Sequence, residues 1–155
     1  MDFRRKAYRI ADSRHPLFDG TGAFVHGGRW NSPGKLIIYA AETYSGALLE
    51  QLAHANIGRI PALQVYIEIE IPDHVKVERV RADEIPAWNG ADLRPAQERG
   101  DAWFKAGTSA VLIVPSAVTG GIESNLLIRQ AHPDFSAITA SEPKPVIWDP
   151  RLLRT

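Results

Sequence analysis

Residues 27–41 read GGRWNSPGKLIIYAA, a glycine-rich loop followed directly by an apolar run. The apolar part, residues 36–41, is long enough for a buried β-strand and too short for a core helix. A second glycine-rich piece, GTG at residues 20–22, comes shortly before the loop. Glycines at this density indicate turns with positive φ and close approach of one backbone to another. The stretch therefore predicts a set of tight turns that lead into a buried strand.

Hydrophobic periodicity predicts a mixture of helices and strands in the rest of the chain. Strict alternation over residues 64–71 is typical of a half-buried strand, and a second alternating run at 75–80 is expected to pair with it as a hairpin about residues 72–73. The irregular order of elements predicts an α+β fold: a single domain with flanking helices on a mixed, largely antiparallel sheet. The other predicted elements are a strand at 8–10, a helix from a Thr43 or Ser45 cap to about His54, a helix at 94–106, and strands at 110–114, 126–128 and 146–148.

The composition narrows the classes of protein that fit. The chain has 155 residues, the size of one domain, and 45% of them are apolar, which suffices for a packed core. Eighteen basic residues balance eighteen acidic ones. A protein that binds nucleic acid by neutralising phosphates has a basic excess, so we expect no direct binding of nucleic acid. The absence of cysteine excludes disulfides, thiolate metal sites and a thiol nucleophile.

Targeting signals are not evident either. No apolar run approaches the roughly 20 residues of a membrane-spanning helix. The basic residues 1–6 are not followed by the apolar region of a secretory signal. We therefore expect a cytoplasmic protein with no membrane contact. A net charge of zero favours association, either with further copies of the chain or with a different protein.

Common catalytic and phosphate-binding motifs do not match. GTG at 20–22 lacks the third glycine and the strand–turn–helix context of a dinucleotide fingerprint, and no lysine–hydroxyl pair completes a phosphate loop. Ser116 lacks the glycine flanks of a nucleophile elbow, so a hydrogen-bonding or capping hydroxyl explains it better. His54 has no second histidine near it in sequence, which favours a packing or pairing role over metal ligation. We expect no metal site.

Four polar side chains are candidates for ligand contact, and each has a structural alternative. Arg29, within the glycine-rich loop, can bind a phosphate or pyrophosphate with two hydrogen bonds, or it can be a solvated surface arginine. Arg9 allows the same two interpretations, with a partly buried, ion-paired role besides. Tyr39 can stack on a planar ligand or pack in the core. Glu50, beside the apolar helix face of Leu48, Leu49, Leu52 and Ala53, can stabilise positive charge, bind a sugar hydroxyl, or be an ordinary solvated glutamate.

The combination of motifs is more specific than its members. The chain resembles the RES domain family, named for an arginine, a glutamate and a serine, over about residues 8–150. The block GGRWN with LLE some twenty residues later is the most specific part of the match. The segments that carry the resemblance are YR at 8–9, FDGTGA at 18–23, GGRWNSPG at 27–34, IYAA at 38–41, ALLE at 47–50 and VPSA at 114–117.

The resemblance implies a fold similar to the ADP-ribosyltransferases and a toxin that uses NAD⁺ as its substrate, with no true cofactor. Members of the family are the toxins of RES–Xre toxin–antitoxin systems, and they deplete NAD⁺ as glycohydrolases or phosphorylases. The alternative within the same fold is an ADP-ribosyltransferase that modifies a protein, and a non-catalytic partner-binding domain is a third hypothesis. The implied partner is an Xre-type antitoxin with a helix-turn-helix domain that blocks the active site.

The resemblance also assigns roles to residues of this chain. It implies that the catalytic set is Arg29, Tyr39, Glu50 and Ser116, and that NAD⁺ is bound by Arg9, Arg29, Tyr39 and Asn125. The chain departs from the family at residues 129–132, which read RQAH where many relatives have NPxH, so His132 is retained and the turn before it differs. Cleavage of the nicotinamide–ribose bond has an oxocarbenium-like transition state. Because the leaving pyridinium is already cationic, one carboxylate suffices and no general acid is required.

Overall fold

The apolar runs form the middle of one mixed β-sheet in the computed structural model, which describes residues 4–54 and 63–152. The strands are β1 (Arg4–Asp12), β2 (Ile37–Ala41), β3 (Gln64–Pro72), β4 (Val77–Arg79), β5 (Val111–Pro115), β6 (Ser124–Arg129), β7 (Thr139–Ala140) and β8 (Lys144–Pro145). Their order in the sheet is β4-β5-β6-β2-β1-β3-β7, with β8 also paired to β3. Among these strands only β4 and β5 pair in parallel. The predicted α+β fold with a mixed, largely antiparallel sheet is confirmed.

Three α-helices flank the sheet in the described part of the chain: α1 (Thr21–His26), α2 (Tyr44–His54) and α3 (Arg94–Ala106). The hydroxyl of Thr43 accepts a 2.9 Å hydrogen bond from the Gly46 amide, so Thr43 and not Ser45 caps α2. Helix α3 has the predicted bounds and ends at Gly107, whose φ of 64° is left-handed. Helix α1 was not predicted, because its six residues lie in a glycine-rich stretch that resembles a series of turns.

Strand β5 is buried on both faces, which explains its continuous apolar run. Val111 and Ile113 belong to one core cluster with strands β1, β3 and β6. Leu112 and Val114 point to the other face, where Trp103 of α3 packs in a second cluster with Trp30. Trp30 and Trp103 are each 2% exposed. The second cluster therefore fixes the glycine-rich loop, through Trp30, between α3 and the sheet.

The sheet opens between β1 and β2. Strand β1 pairs with β3 over nine consecutive residues, from Arg4 opposite Pro72 to Asp12 opposite Gln64. Against β2, by contrast, it pairs at one position, Tyr8 opposite Ala41. The two strands thus diverge from a single point of contact, and the space between them is available for a ligand.

The predicted hairpin between residues 64–71 and 75–80 is wrong. Strand β3 pairs with β1 on one side and with β7 and β8 on the other. The second run instead forms β4, which pairs with β5 at the opposite edge of the sheet. Alternation of apolar residues reports that a strand has one buried face, and it does not identify the neighbouring strand.

Two further predictions need correction. The strand predicted at 146–148 does not form: β8 ends at Pro145, and Ile147 is 88% exposed. On α2, the helix buries Gly46 and Ala47, whereas Leu49 of the apolar face is 45% exposed. Both errors have the same cause, because an apolar side chain on a surface gives the same local pattern as one in a core. No helix in the described ranges is long and apolar enough to cross a membrane.

Candidate functional site

A cleft of about 900 Å³ lies where β1 and β2 diverge. Most of its lining comes from β1, β2, α2 and the glycine-rich loop, and α3 and β6 contribute one residue each, Gln97 and Asn125. Five of the six predicted site residues line it: Arg9, Arg29, Tyr39, Glu50 and Asn125. These residues come from five separate segments of the chain, so the fold brings together what the sequence keeps apart.

Glu50 and Asn125 form a hydrogen-bonded pair on one side of the cleft. Asn125 Nδ2 donates to Glu50 Oε1 over 2.9 Å, which joins α2 to β6. Among the described residues no other hydrogen bond reaches the Glu50 carboxylate. One oxygen is therefore held by the amide, and the other remains for a ligand in the cleft.

Arg29 projects from a tight turn. The turn closes with a hydrogen bond from the Gly28 amide to the Asn31 carbonyl, 2.9 Å, and a longer return bond of 3.3 Å. Arg29 Nη1 donates to the carbonyls of Trp88 and Gly90, at 3.1 and 3.0 Å. Both hydrogens of Nη1 are thereby used, and the Nε and Nη2 groups make no hydrogen bond with other described residues. The guanidinium is held by one end and offers three N–H donors to an anion.

Tyr39 connects the turn to the central strand. Its hydroxyl donates to Asn31 Oδ1 over 2.6 Å and accepts from the Trp30 amide over 3.1 Å. Burial raises the pKa of Tyr39, so the hydroxyl stays protonated and remains a donor. A Cβ on Gly28 would lie 2.7 Å from this hydroxyl, which explains the need for glycine there. Tyr39 is packed against the second core cluster, as the core alternative predicts, and it also lines the cleft.

Arg9 crosses the gap between the diverging strands. Its Nη1 donates to the Tyr39 carbonyl over 2.9 Å, in a place where β1 and β2 have no ladder hydrogen bonds. Its Nε is buried and has no hydrogen-bond partner among the described residues. Burial lowers the pKa of Arg9, and the negative charge of Asp19 acts in the opposite direction. Arg9 therefore combines an unsatisfied buried Nε with a place in the cleft lining, and its positive charge is available to an anionic ligand there.

Ser116 is the one predicted site residue that does not line the cleft. It is 2% exposed and lies between Pro115 and Ala117, which do line it. The residue occupies the N-cap position of a short 3₁₀ turn, but its side chain makes no capping hydrogen bond. Ser116 is therefore buried beside the cleft and does not form part of its surface.

Gln97 of α3 lines the cleft and was missed in the sequence. Its Nε2 donates to the carbonyls of Gly28 and Asn31, at 2.9 and 3.2 Å. One turn further along α3, Asp101 accepts hydrogen bonds from the amide and the hydroxyl of Ser32, at 3.0 and 2.6 Å. The two residues share a helix face, at i and i+4, and together fix the turn that carries Arg29. Nothing local in the sequence distinguishes them from ordinary polar residues of an amphipathic helix.

The residues at the departure from the family pattern have structural roles. Gln130 Oε1 accepts from the Gly20 amide over 2.7 Å, and Gln130 Nε2 donates to Asp19 over 3.2 Å. His132 Nδ1 accepts from the Asp134 amide over 3.0 Å and so caps a 3₁₀ turn, Pro133–Ala137. Neither side chain lines the cleft. The altered turn holds the start of α1 in place from behind.

Possible metal ligands are not clustered. In residues 4–54 and 63–152 there is no group of three or more histidine, aspartate and glutamate side chains that could hold an ion. His54, at the end of α2, and His26, at the end of α1, both line the cleft.

The fold of this chain is that of a toxin from a toxin–antitoxin complex. It superposes on the MbcT toxin in the crystal structure of the M. tuberculosis MbcT–MbcA complex with a TM-score of 0.69 and 19% sequence identity. The match covers 93% of this chain and 85% of that one. At this level of identity the likeness concerns the fold.

Sequence similarity then defines the family. The RES domain model matches residues 6–149, and the chain belongs to the RES domain family of toxins. Over 141 residues it is 38% identical to the Prs ADP-ribosylating toxin of Sphingobium sp. (strain YBL2), covering 87% of this chain and 86% of that protein. Over 150 residues it is 33% identical to Toxin Res of Yersinia enterocolitica, covering 94% and 97%. The family resemblance drawn from the motifs is confirmed.

Proposed function

We propose that this chain is a toxin that consumes NAD⁺ by breaking the bond between nicotinamide and ribose. The observation that carries the proposal is the Glu50–Asn125 pair in a cleft that also presents Arg9 and Arg29. A volume of about 900 Å³ is at the upper end of the range for small-molecule sites, which suits a dinucleotide. The carboxylate and the two cations match the charges of the substrate at its reacting carbon and its pyrophosphate.

Cleavage of this bond requires no proton donor from the protein, only charged groups placed to stabilise the transition state. The C1′–N bond breaks with both electrons leaving on the nicotinamide nitrogen, which becomes neutral without accepting a proton. Positive charge develops on the ribose, and Glu50 stabilises it or holds a ribose hydroxyl. The hydrogen bond from Asn125 fixes the carboxylate, so no reorientation is needed in the transition state.

The arginines are proposed to bind the pyrophosphate. Arg29 is anchored through Nη1 and keeps Nε and Nη2 for the ligand, which is the geometry of bidentate phosphate recognition. Arg9 is held through Nη1 and has an unpartnered Nε. Tyr39 orders the Arg29 turn and offers its ring to the substrate. Ser116, which lies behind the wall, is proposed to shape the cleft near Pro115 instead of touching the substrate.

The acceptor of ADP-ribose separates two candidate functions. Transfer to water or phosphate makes the chain an NAD⁺ glycohydrolase or phosphorylase. Transfer to a protein makes it an ADP-ribosyltransferase, which is favoured by its 38% identity to a relative named as an ADP-ribosylating toxin. Both share the cleavage step, so the residues proposed above serve either one.

The experiment measures nicotinamide release from NAD⁺ by the purified chain, with and without phosphate, and in parallel the labelling of lysate proteins from radioactive NAD⁺. Release without protein labelling supports the first function, and labelling at specific bands supports the second. Glu98→Gln, on the exposed side of α3, is the control for Glu50→Gln. A folded chain that neither releases nicotinamide nor labels protein would show that the domain only binds a partner.

We infer that the partner is an antitoxin, of the Xre type with a helix-turn-helix domain, which closes the cleft. The support is the fold shared with a toxin solved in a toxin–antitoxin complex and the family of Res toxins. The test is coexpression with the product of the neighbouring reading frame. Growth restored by a helix-turn-helix protein, together with loss of nicotinamide release in the purified complex, is the expected result.

A further inference from the structure

The side-chain amide of Gln97 has only one orientation compatible with its contacts. Both of its hydrogen-bonded neighbours, Gly28 O and Asn31 O, are carbonyl oxygens and accept without donating. The Nε2 group must therefore face them, since exchanging nitrogen and oxygen would set the amide oxygen against two carbonyls. The atom on the other side of the amide is therefore Oε1, which can only accept a hydrogen bond.

This acceptor is available. Gln97 lines the cleft, and among the described residues nothing donates to its Oε1. The atom is also absent from the buried polar atoms that lack a partner, so it is open to solvent. Gly28, whose carbonyl the Nε2 group contacts, and Leu93, just before α3, also line the cleft and present no polar side chain, while the adjacent Arg29 presents its guanidinium. Such a surface suits a flat heterocycle, with one fixed acceptor at its edge.

We propose that Gln97 Oε1 accepts a hydrogen bond from an exocyclic N–H of a substrate base. Its inward N–H groups hold the Arg29 turn at the same time, so one side chain links anion binding to base recognition. This inference rests on the proposed use of NAD⁺. Two groups of that substrate carry such an N–H: the carboxamide of nicotinamide and the 6-amino group of adenine.

Three dinucleotides distinguish these sources. In 3-acetylpyridine adenine dinucleotide a methyl group replaces the carboxamide nitrogen, and in nicotinamide hypoxanthine dinucleotide an oxygen replaces the 6-amino group. The experiment compares kcat/KM for NAD⁺ and both analogues, measured with the unaltered chain and with Gln97→Met. For each dinucleotide, the kcat/KM of the variant is divided by the kcat/KM of the unaltered chain. Intrinsic differences between the leaving groups cancel in this ratio.

Gln97→Met cannot donate to the two carbonyls, so we expect some loss with all three dinucleotides. On top of it we expect a further loss of about tenfold with NAD⁺ and one analogue, which the analogue that lacks the recognised N–H does not show. Gln97→Glu keeps an acceptor but cannot donate to the two carbonyls, so it should weaken all three dinucleotides in equal proportion. Glu98→Met makes the matched change at the exposed neighbouring position and should leave every ratio unchanged.

Two results would overturn the inference. If Gln97→Met weakens all three dinucleotides equally, or none of them, Gln97 does not recognise a base. If the unaltered chain, shown to be folded, neither binds NAD⁺ nor releases nicotinamide, the proposed function fails, and the inference fails with it. An active chain whose three ratios are equal contradicts only the role of Gln97. A folded chain without activity contradicts the proposed function, so the two failures are distinguishable.

Discussion

Asn125 Nδ2 lies 2.9 Å from Glu50 Oε1 and joins residues 75 positions apart in the sequence. The pair places an amide donor on the only carboxylate among the residues we propose to act in the reaction. Replacing Glu50 by Gln retains the size of the side chain and an acceptor for Asn125, but it removes the negative charge. We expect nicotinamide release to fall by about 10²–10³-fold, the typical effect of losing a placed electrostatic group.

Asn125→Ala tests the other half of that pair. The carboxylate keeps its charge and loses its orientation, so we expect a smaller loss in kcat, about tenfold. In the double variant with Glu50→Gln, the second change should add almost nothing, because the two residues act as a unit. Additive losses would mean that Asn125 contacts the substrate independently of Glu50. Thermal unfolding of each variant serves as the control for folding.

Arg9 should matter more for ligand binding than for stability. Arg9→Met loses one hydrogen bond to Tyr39 O, but it also removes a buried charge with an unpartnered Nε, and these effects oppose each other. We expect the free energy of unfolding to change by less than about 1 kcal/mol and NAD⁺ affinity to fall at least tenfold. Arg129→Met is the control for NAD⁺ affinity, because Arg129 also has a buried, unpartnered Nε but lies outside the cleft. Its stability is compared separately, since the Arg129 guanidinium also lies 4.5 Å from the centre of the Phe104 ring. A large loss of stability with unchanged NAD⁺ affinity would contradict this prediction and show that Arg9 has only a structural role.

Two glycines provide opposite tests of packing. A Cβ on Gly100 would stand 1.6 Å from the Trp30 carbonyl oxygen, so Gly100→Ala must push α3 away from the glycine-rich loop. We expect a loss of about 3 kcal/mol in chemical denaturation, despite the better helix propensity of alanine. Gly22, in α1, has nothing within 4 Å of its added Cβ. Gly22→Ala should therefore be neutral or stabilise the protein by about 0.5–1 kcal/mol. Equal effects at the two positions would contradict the described packing.

Asp12 gives a prediction about pH. Hydrogen bonds from the Arg14 side chain and backbone lower the pKa of Asp12 from 3.8 to about 2. The ionised form is thus favoured by folding, and its contribution is present above pH 3.8 and lost as the pH falls through about 2. The titration of the Asp12 carboxyl, followed by NMR, should have its midpoint near pH 2, and in Arg14→Gln the midpoint should return toward the ordinary value. Arg151→Gln, which removes the equivalent partner of Asp149, should leave the Asp12 midpoint unchanged.

Local pattern was sufficient for most of the elements. Helix α3 and strand β3 were predicted almost to the residue, since periodicity and a Gly107 stop are properties of neighbouring positions. The pairing of β4 with β5 was not predictable in the same way, because a strand's partner depends on which edges other strands have already occupied. The short helix α1 was hidden by the glycines around it.

The sequence motifs identified most of the candidate site residues, whereas their burial and their contacts are known from the structure alone. The family resemblance led to five residues that the fold places in one cleft: Arg9, Arg29, Tyr39, Glu50 and Asn125. The motifs did not reveal that Ser116 is buried and does not line the cleft, because burial follows from tertiary packing. Gln97 could not be singled out, since its importance derives from two carbonyls 66 and 69 positions away.

The single Tyr8–Ala41 contact between β1 and β2 has a thermodynamic consequence. A sheet normally gains cohesion from a continuous ladder, and here one guanidinium, that of Arg9, and one residue pair substitute for most of it. A molecule seated in the gap would contact both β1 and β2, and its binding would stabilise the folded domain by an amount set by its affinity and concentration. The melting temperature of this domain should therefore rise when the cleft is occupied. Comparing it in the presence of different small molecules ranks them by their binding to the toxin.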